Sequence, residues 1–450
     1  MADFPFATLG PAEHVGPLPD IADVAIVGGG VMGVCAALFL ARKGVSVVLV
    51  EKGRIAAEQS ARNWGWIRQQ GRDPAEITIM AEAQRHWQAL SRETNDQIGL
   101  TQTGVAYLAT SEAEQERFEG WLPNAKAHGI GTRALSRAEV QAMMPDAQAD
   151  WVGGIYTDTD MKAEPWVAVP ALARLAVRDG AVLCEGIAAR GIETSAGRVS
   201  ALITEAGRLR CSEVIVAGGA WSSLFLRNVG VNIPQLSVRA SVVAVDAAPM
   251  AYAGAATDDK VAFRPRADGG YTLACGGARD LFVGPDAFRA FPKYLKQLAA
   301  DPFGTKLRRA SPKGFPDGWR TPRRWALDEP SPFERMRVLN PAPNDDLLAR
   351  VTRDFAARFP DLGPVRPKAK WAGMIDTMPD IVPIVDRVDT VPGLTVATGL
   401  SGHGFGIGPG MGRVVSDLVT GDAVGHDLHR FRFSRFSDGS PIVIDPTSRL

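Results

Sequence analysis

The run Asp23-Val24-Ala25-Ile26-Val27 feeds straight into Gly28-x-Gly30-x-x-Gly33, and an Ala/Leu-rich stretch carries on to Leu38. A β-branched strand that turns on glycines into a helix is the context in which this spacing binds a dinucleotide. Gly28 makes the tight turn, Gly30 admits a pyrophosphate close to the backbone, and Gly33 lets helix and strand pack closely. The phosphates then sit at a helix N-terminus, on the N–H groups around Val31 and Met32. A second strand, Val45 to Val50, ends in Glu51, 18 residues past Gly33 and just before Lys52. A carboxylate there accepts both hydroxyls of an adenosine ribose and disfavours a 2′-phosphate.

At 450 residues the chain is too long for one small core and predicts two domains. Its 50 basic residues balance 50 acidic ones, so nothing points to a nucleic-acid partner or an anionic membrane. Cys35, Cys184, Cys211 and Cys275 stand far apart without metal spacing, as in a reducing compartment. The six histidines form no ligand cluster, no metal is expected, and His426 and His429 read as solvated tail residues. The apolar stretch Val24 to Ala41 holds four glycines and a strand-to-helix break, which argues against a membrane span. The leader Met1 to Pro19 lacks a basic start followed by an apolar core, so a cytoplasmic location is expected.

The segment Ser60-Ala61-Arg62-Asn63-Trp64-Gly65-Trp66-Ile67-Arg68-Gln69-Gln70-Gly71 follows no regular period. Two tryptophans, Arg62, Asn63 and the paired glutamines point to ligand contact, with a plain surface loop as the alternative. Asp73 as cap, Pro74 in the first turn and Glu76 closing a capping box predict a helix with Ile77, Met80, Trp87 and Leu90 on one face. A strand over 104–108, a helix over 111–128 and a strand over 153–156 then begin an inserted second domain. The chain returns with a helix over 166–178 and strands over 181–185, 187–193 and 198–204. A buried strand over 212–216 runs into Ala217-Gly218-Gly219-Ala220-Trp221, a second place where backbone can approach a dinucleotide.

Between Leu236 and Lys368, alternating segments over 238–245, 261–264 and 270–274 predict an antiparallel sheet. Residues 276–332 are rich in proline, arginine and aromatics, among them Phe282, Phe288, Phe291, Tyr294, Phe303, Trp319 and Trp325. They read as an insertion that is a lid, a contact surface or solvated decoration. Near the end, Trp371 to Asp380 precedes a strand over 394–399. Then Gly402-His403-Gly404-Phe405-Gly406-Ile407-Gly408 opens a helix running to Thr420. Glycines before a helix start present N–H groups and a positive dipole end to an anion. His403 is either a donor to the ligand or a packed structural histidine.

The glycine turn with Glu51, the Val-Ala-Gly-Gly-Ala-Trp strand end, the Trp371-Ala372-Gly373…Thr377-Met378-Pro379-Asp380 run and the Gly-His-Gly-Phe-Gly-Ile-Gly segment together resemble the D-amino acid oxidase superfamily of FAD-dependent amine oxidoreductases. The resemblance covers nearly the whole chain in order. The Ser60 to Gly71 segment and the insertion after Cys275 look most like the bacterial L-amino acid deaminase branch. The resemblance implies an α/β fold (α+β overall), glutathione-reductase-2-like, in which a Rossmann-type FAD-binding domain (1–100, 165–235, 368–430) is interleaved with an antiparallel-sheet substrate domain (101–164, 236–367). Residues 431–450 would form a C-terminal tail.

It further implies FAD contacts from Gly28, Gly30, Val31, Met32, Gly33, Glu51, Lys52, Ser60, Arg62, Asn63, Trp64, Gly65, Trp66, Ile187, Ala217, Gly218, Trp221, Gly373, Gly402, His403, Gly404, Phe405, Gly406 and Ile407. Trp64-Gly65-Trp66 and Gly373-Met374 stand where relatives place a linking histidine or cysteine, so non-covalent FAD is expected. The substrate carboxylate is expected on Arg264 or Arg266, with Gln69 or Gln70 as hydrogen-bond partner, and a solvated sheet-edge role is the alternative for one of the two arginines. Trp64, Trp66, Trp371 and Phe405 would supply apolar surface. The implied reaction is hydride transfer from Cα of an α-amino acid, an L-amino acid first, to flavin, with no side-chain base assigned. D-amino acids, N-methyl or cyclic amines, and an idle flavin-bearing subunit are the alternatives. Oxygen or a quinone-type respiratory carrier would reoxidise the flavin, and the aromatic insertion leaves peripheral membrane contact open. Neither the oligomeric state nor the handedness of the substrate can be read from composition.

Overall fold

The strand Val24–Val27 sits inside a six-stranded sheet, in the order Ile384–Arg387, Leu394–Thr398, Glu213–Val216, Val24–Val27, Val47–Glu51, Val182–Glu185. This computed structural model describes residues 12–302 and 304–448; most of the leader and Phe303 of the insertion lie outside the described residues. Every neighbouring pair in the sheet is parallel except the edge strand Ile384–Arg387, which runs antiparallel. Central parallel strands are covered on both faces, which is why 24–26 and 47–50 read as unbroken apolar runs.

The two faces have different covers. Ile26, Val47 and Leu49 pack into a core with the helices Val31–Arg42, Pro74–Glu93, Pro165–Arg178 and Gly404–Thr420. Ala25, Val48 and Val50 point the other way, toward the antiparallel strands Ala189–Ser195, Arg198–Thr204 and Gly207–Arg210 and the helix Ser222–Asn228. Within the first layer, glycines let the helices touch. A Cβ on Gly408 would lie 2.5 Å from Val31, one on Gly410 2.6 Å from the Ile79 carbonyl, and one on Gly412 2.4 Å from Cys35.

The second large sheet runs Thr305–Arg308, Arg279–Phe282, Leu236–Val245, Tyr271–Ala274, Ala262–Pro265, Ala255–Thr257, Val105–Ala109, Gly153–Thr157, Arg133–Ser136, with Pro367–Thr377 along the free side of Leu236–Val245. Its strands thus come from two separate stretches of chain. A small sheet of Trp66–Ile67, Met161–Lys162 and Thr101–Gln102 lies between the two halves of the molecule.

Several expectations need adjustment. The helix expected over 111–128 is two, Glu112–Glu119 and Leu122–Ala127, because Gly120 and Pro123 interrupt it. The strand expected over 187–193 forms at Ala189–Ser195. Asp73 caps the helix at 74–93 through the Ala75 N–H at 3.0 Å, but Glu76 does not complete a capping box and is buried beside Arg72 instead. His426 is not solvated: its Nε2 lies 2.6 Å from Glu82, which also binds Arg413. Among the described residues no helix is long and apolar enough to cross a membrane.

The glycine contacts predict a large asymmetry. Gly412→Val is expected to cost about 2 kcal/mol or more in urea unfolding, since overpacking a close helix contact forces the backbone apart. Gly16→Ala, where nothing lies within 4 Å of the added Cβ, should stay within error of wild type.

Candidate active site

A cavity of about 1250 Å³ opens at the carboxyl ends of the parallel strands, between the two large sheets. That exceeds the roughly 300–1,000 Å³ of an ordinary small-ligand site and has room for a dinucleotide and a second molecule. Strand ends of an open parallel sheet are where such ligands bind.

The wall on the parallel-sheet side is glycine-built. Gly28 has φ of +112°, and a Cβ there would lie 2.5 Å from the Ala217 carbonyl. A Cβ on Gly33 would lie 2.0 Å from the Gly28 carbonyl, so Gly33 serves packing and does not itself line the cavity. Gly30, Val31, Met32, Ala217, Gly218 and Gly373 do line it. The Val31 N–H donates to Ser60 Oγ at 2.8 Å, holding the helix start. Glu51 accepts N–H groups from Gly29 at 2.8 Å and Gly53 at 2.7 Å, and burial pushes its carboxyl up. Lys52 and Trp221 both turn to Glu58, an acid the sequence did not mark: Lys52 Nζ donates at 2.6 Å and the Trp221 indole to both oxygens at 3.1 Å.

The irregular segment after Glu58 folds over this cradle. Arg62 is buried and donates to the carbonyls of Ala57 at 2.9 Å and Ala372 at 2.8 Å, tying the segment to the strand that carries Gly373. Asn63 accepts the Gly65 N–H at 2.7 Å. Trp64 and Trp66 meet edge to face at 5.3 Å between ring centres and line the cavity, as do Gly402, His403, Gly404 and Phe405 at the start of Gly404–Thr420. Gly65, Ile187, Gly406, Ile407 and Trp371 do not line it; Ile187 spends its N–H on the Glu51 carbonyl, and the Trp371 indole donates to the Arg62 carbonyl.

The expected carboxylate clamp must be corrected. Arg264, 1% exposed, donates from both terminal nitrogens to the two oxygens of Glu164 at 2.9 Å each, and its Nε donates to the Trp64 carbonyl. Arg266 donates to the Tyr271 and Val245 carbonyls and pairs with Asp268. Neither lines the cavity, and neither is a solvated edge residue. Burial alone would raise Glu164, but the charge and hydrogen bonds of Arg264 outweigh it and hold the carboxyl below its ordinary value. Gln69 and Gln70 also turn away: Gln69 donates to Gln84, Thr157 donates to Gln70, and both backbone N–H groups go to Asp160, whose carboxyl burial pushes up to about 7.

Several cations line the cavity, Lys52, Arg62, Arg68, Arg72 and Arg279 among them, and Arg279 is the one that a strand of the antiparallel sheet brings there. It starts the strand Arg279–Phe282, whose register pairs Leu281 with Val238 and Asp280 with Arg239. Arg279, Leu281 and Val238 therefore share the cavity face, while Asp280 on the reverse face binds Arg239 and Arg308. Arg279 donates to the Gly276 carbonyl at 3.2 Å, and among the described residues no carboxylate pairs with it. Burial pushes its guanidinium down from the usual range. Its one sequence signal was position: an arginine two residues past Gly276-Gly277, at the start of the insertion. The insertion's helix Pro285–Ala300 closes the same side with Phe288, Phe291 and Tyr294, and residues 444–446 of the C-terminal segment also line the cavity.

The family described as DAO, FAD dependent oxidoreductase, matches residues 23–418. The structure of L-amino acid deaminase from Proteus myxofaciens in complex with anthranilate superposes with a TM-score of 0.89 at 29% identity, covering 95% of this chain and 97% of that one. The L-amino acid deaminase of Proteus vulgaris gives 0.88 at 29% identity, covering 94% and 98%. Glycine oxidase of Geobacillus kaustophilus is 26% identical over 92% of this chain and 97% of that protein. Mitochondrial sarcosine dehydrogenase of Mus musculus is 28% identical over 53% of this chain, and the matched region spans about a quarter (26%) of its length.

If Arg264 is a strut and not a substrate anchor, Arg264→Met should show first in stability. Stranding buried Glu164 is expected to cost about 3–5 kcal/mol in denaturant unfolding. A variant that keeps wild-type stability and loses only substrate affinity would return Arg264 to the binding site.

Proposed function

The chain belongs to the FAD dependent oxidoreductase (DAO) family, and we propose that it acts on a CH–NH2 donor and oxidatively deaminates an α-amino acid, in the first place an L-amino acid. The product would be an imino acid that water hydrolyses to a 2-oxo acid and ammonia. The observation that carries this reading is one cavity with a glycine-built dinucleotide cradle on one wall and, on another, the guanidinium of Arg279, which makes no direct ion pair among the described residues although Asp301 lies near enough to act on it. FAD, when bound, supplies the acceptor for the hydride leaving Cα.

The residues fit that group. An added Cβ would press on the Ala217 carbonyl at Gly28 and on Ser60 Oγ at Gly30, Glu51 ends the second parallel strand, from which a carboxylate would take the ribose hydroxyls, and the N-terminus of Gly404–Thr420 offers positive potential. No bond to the flavin is proposed, since Trp64-Gly65-Trp66 and Gly373-Met374 occupy the positions that carry such a link in relatives. On the substrate side, the planar fork of Arg279 matches a carboxylate in two parallel bonds and so fixes the orientation of that group. Trp64, Trp66 and Phe405 line the same cavity with apolar surface, which would exclude water from a bound substrate. The Arg279 charge and the helix dipole both disfavour a protonated amine, and the neutral amine is the form that can release hydride. The full-length match to two Proteus L-amino acid deaminases, one holding the aromatic amino-carboxylate anthranilate, supports the L-amino acid over other substrates.

Anaerobic mixing with L-, D- and N-methyl amino acids tests the reading. Bleaching of the flavin by L-amino acids is expected; bleaching by D- or N-methyl substrates alone moves the substrate class, and none by any of them rejects the activity. Arg279→Met is expected to lower kcat/KM by about 10²-fold or more, the size of a lost charged hydrogen-bond pair, with Arg279→Lys in between. Acid precipitation should release all the FAD into the supernatant.

A further inference from the structure

His403 precedes the helix Gly404–Thr420, lines the cavity and is nearly buried, its side chain 6% exposed. Arg72 and Glu76, whose carboxyl burial pushes up to about 7, both approach its Nδ1. A terminal nitrogen of Arg72 lies 2.9 Å away, and the other terminal nitrogen donates to the His403 carbonyl, also at 2.9 Å. Glu76 Oε1 lies 3.6 Å from the same ring nitrogen and has no hydrogen-bond partner of its own among the described residues.

Distance and valence decide between them. A guanidinium carries donors only, so a ring nitrogen 2.9 Å from it must accept. An Nδ1–H donated to Glu76 would span 3.6 Å, too long for a hydrogen bond. Arg72 is also held in place: its side chain is 1% exposed, its Nε donates to the Arg68 carbonyl at 3.1 Å, and the Arg72 carbonyl accepts from the Trp121 indole at 2.9 Å. Burial first, then the charges of Arg72, Arg68 and Arg279, hold the imidazole well below its ordinary pKa, so the ring is neutral. A neutral ring whose Nδ1 accepts carries its proton on Nε2. That nitrogen has no protein partner among the described residues.

We propose that Arg72 is a positioning residue that locks His403 in the Nε2–H tautomer, so that a neutral donor faces the flavin cavity beside the positive end of Gly404–Thr420. A donor at that point favours negative charge, whether on the reduced flavin ring or on a bound anion. The tautomer belongs to the chain alone. Only its use rests on the flavin reading.

Long-range proton–nitrogen NMR of the [15N]histidine-labelled full chain, with His403 identified by its loss in His403→Gln, tests the two parts separately. In wild type, with and without FAD, His403 Nδ1 is expected to be unprotonated and Nε2 protonated; a proton on Nδ1 overturns the proposal without any variant. In Arg72→Met the ring should redistribute toward Nδ1–H facing Glu76, and an unchanged tautomer overturns the role of Arg72. Sulfite, which adds to flavin N5 and leaves negative charge on the ring, reads the consequence in the FAD-loaded protein. Arg72→Met and His403→Gln are each expected to weaken sulfite binding about tenfold, one hydrogen bond's worth, and the double variant no further. Additive losses would mean that Arg72 acts on the flavin independently of His403. A protein that takes up no FAD would void the flavin reading while leaving the tautomer result standing.

Discussion

What the rest of this structure depends on is the absence of Cβ atoms where chain segments cross. Gly28 presses on Ala217, Gly33 on Gly28, and Gly408 and Gly412 on the helix Val31–Arg42, each at a separation that a side chain would block. Those contacts draw the strand ends Val27, Val216 and Thr398 toward the same point as the starts of two helices. The cavity is therefore floored by backbone, and backbone N–H groups with aligned helix ends are what an anionic dinucleotide needs.

The opposite wall is held by buried charge rather than by close packing. Arg264 and Glu164 link the strand Ala262–Pro265 to the residue before the helix Pro165–Arg178, and the same guanidinium reaches the Trp64 carbonyl. One ion pair thus fixes the antiparallel sheet, a helix of the parallel-sheet half and the aromatic loop relative to one another. A buried pair of this kind contributes little net attraction once desolvation is counted, but it tolerates only one arrangement. Arg62 does the same for the loop's other end through two carbonyls.

The arginines of the second half show how burial sorts one residue type into different tasks. Arg264 and Arg266 are satisfied by acids and carbonyls within the protein, whereas Arg279 keeps its fork for the cavity. Around His403 the sorting is finer. Arg72, with donors only, dictates which nitrogen of the ring holds the proton, and the helix start then presents both a dipole and a neutral donor to the same space.

The chain itself determined whatever depends on neighbours along the sequence. Gly28, Gly30 and Gly33 after a β-branched strand, Glu51 at the end of the next, and the glycine run before Gly404–Thr420 announced the dinucleotide cradle, because the spacing of backbone contacts at a turn is a local property. Tertiary structure decided whatever depends on which face of a strand meets which neighbour. Phe263-Arg264-Pro265-Arg266 looked like an anchor, and only the arrival of Glu164, 100 residues away, and of Asp268 shows both cations consumed. Arg279 went unmarked within the insertion, and only the pairing of Leu281 with Val238 turns it toward the cavity. Glu58 and Arg72 left no trace in the sequence, since each acts on partners at long range: the hub at Glu58 gathers Lys52, Trp221 and Leu339, and Arg72 meets His403 across 331 positions. Local steric demands are written in the residues that meet them, while the partner of a buried charge is chosen only when the chain closes around it.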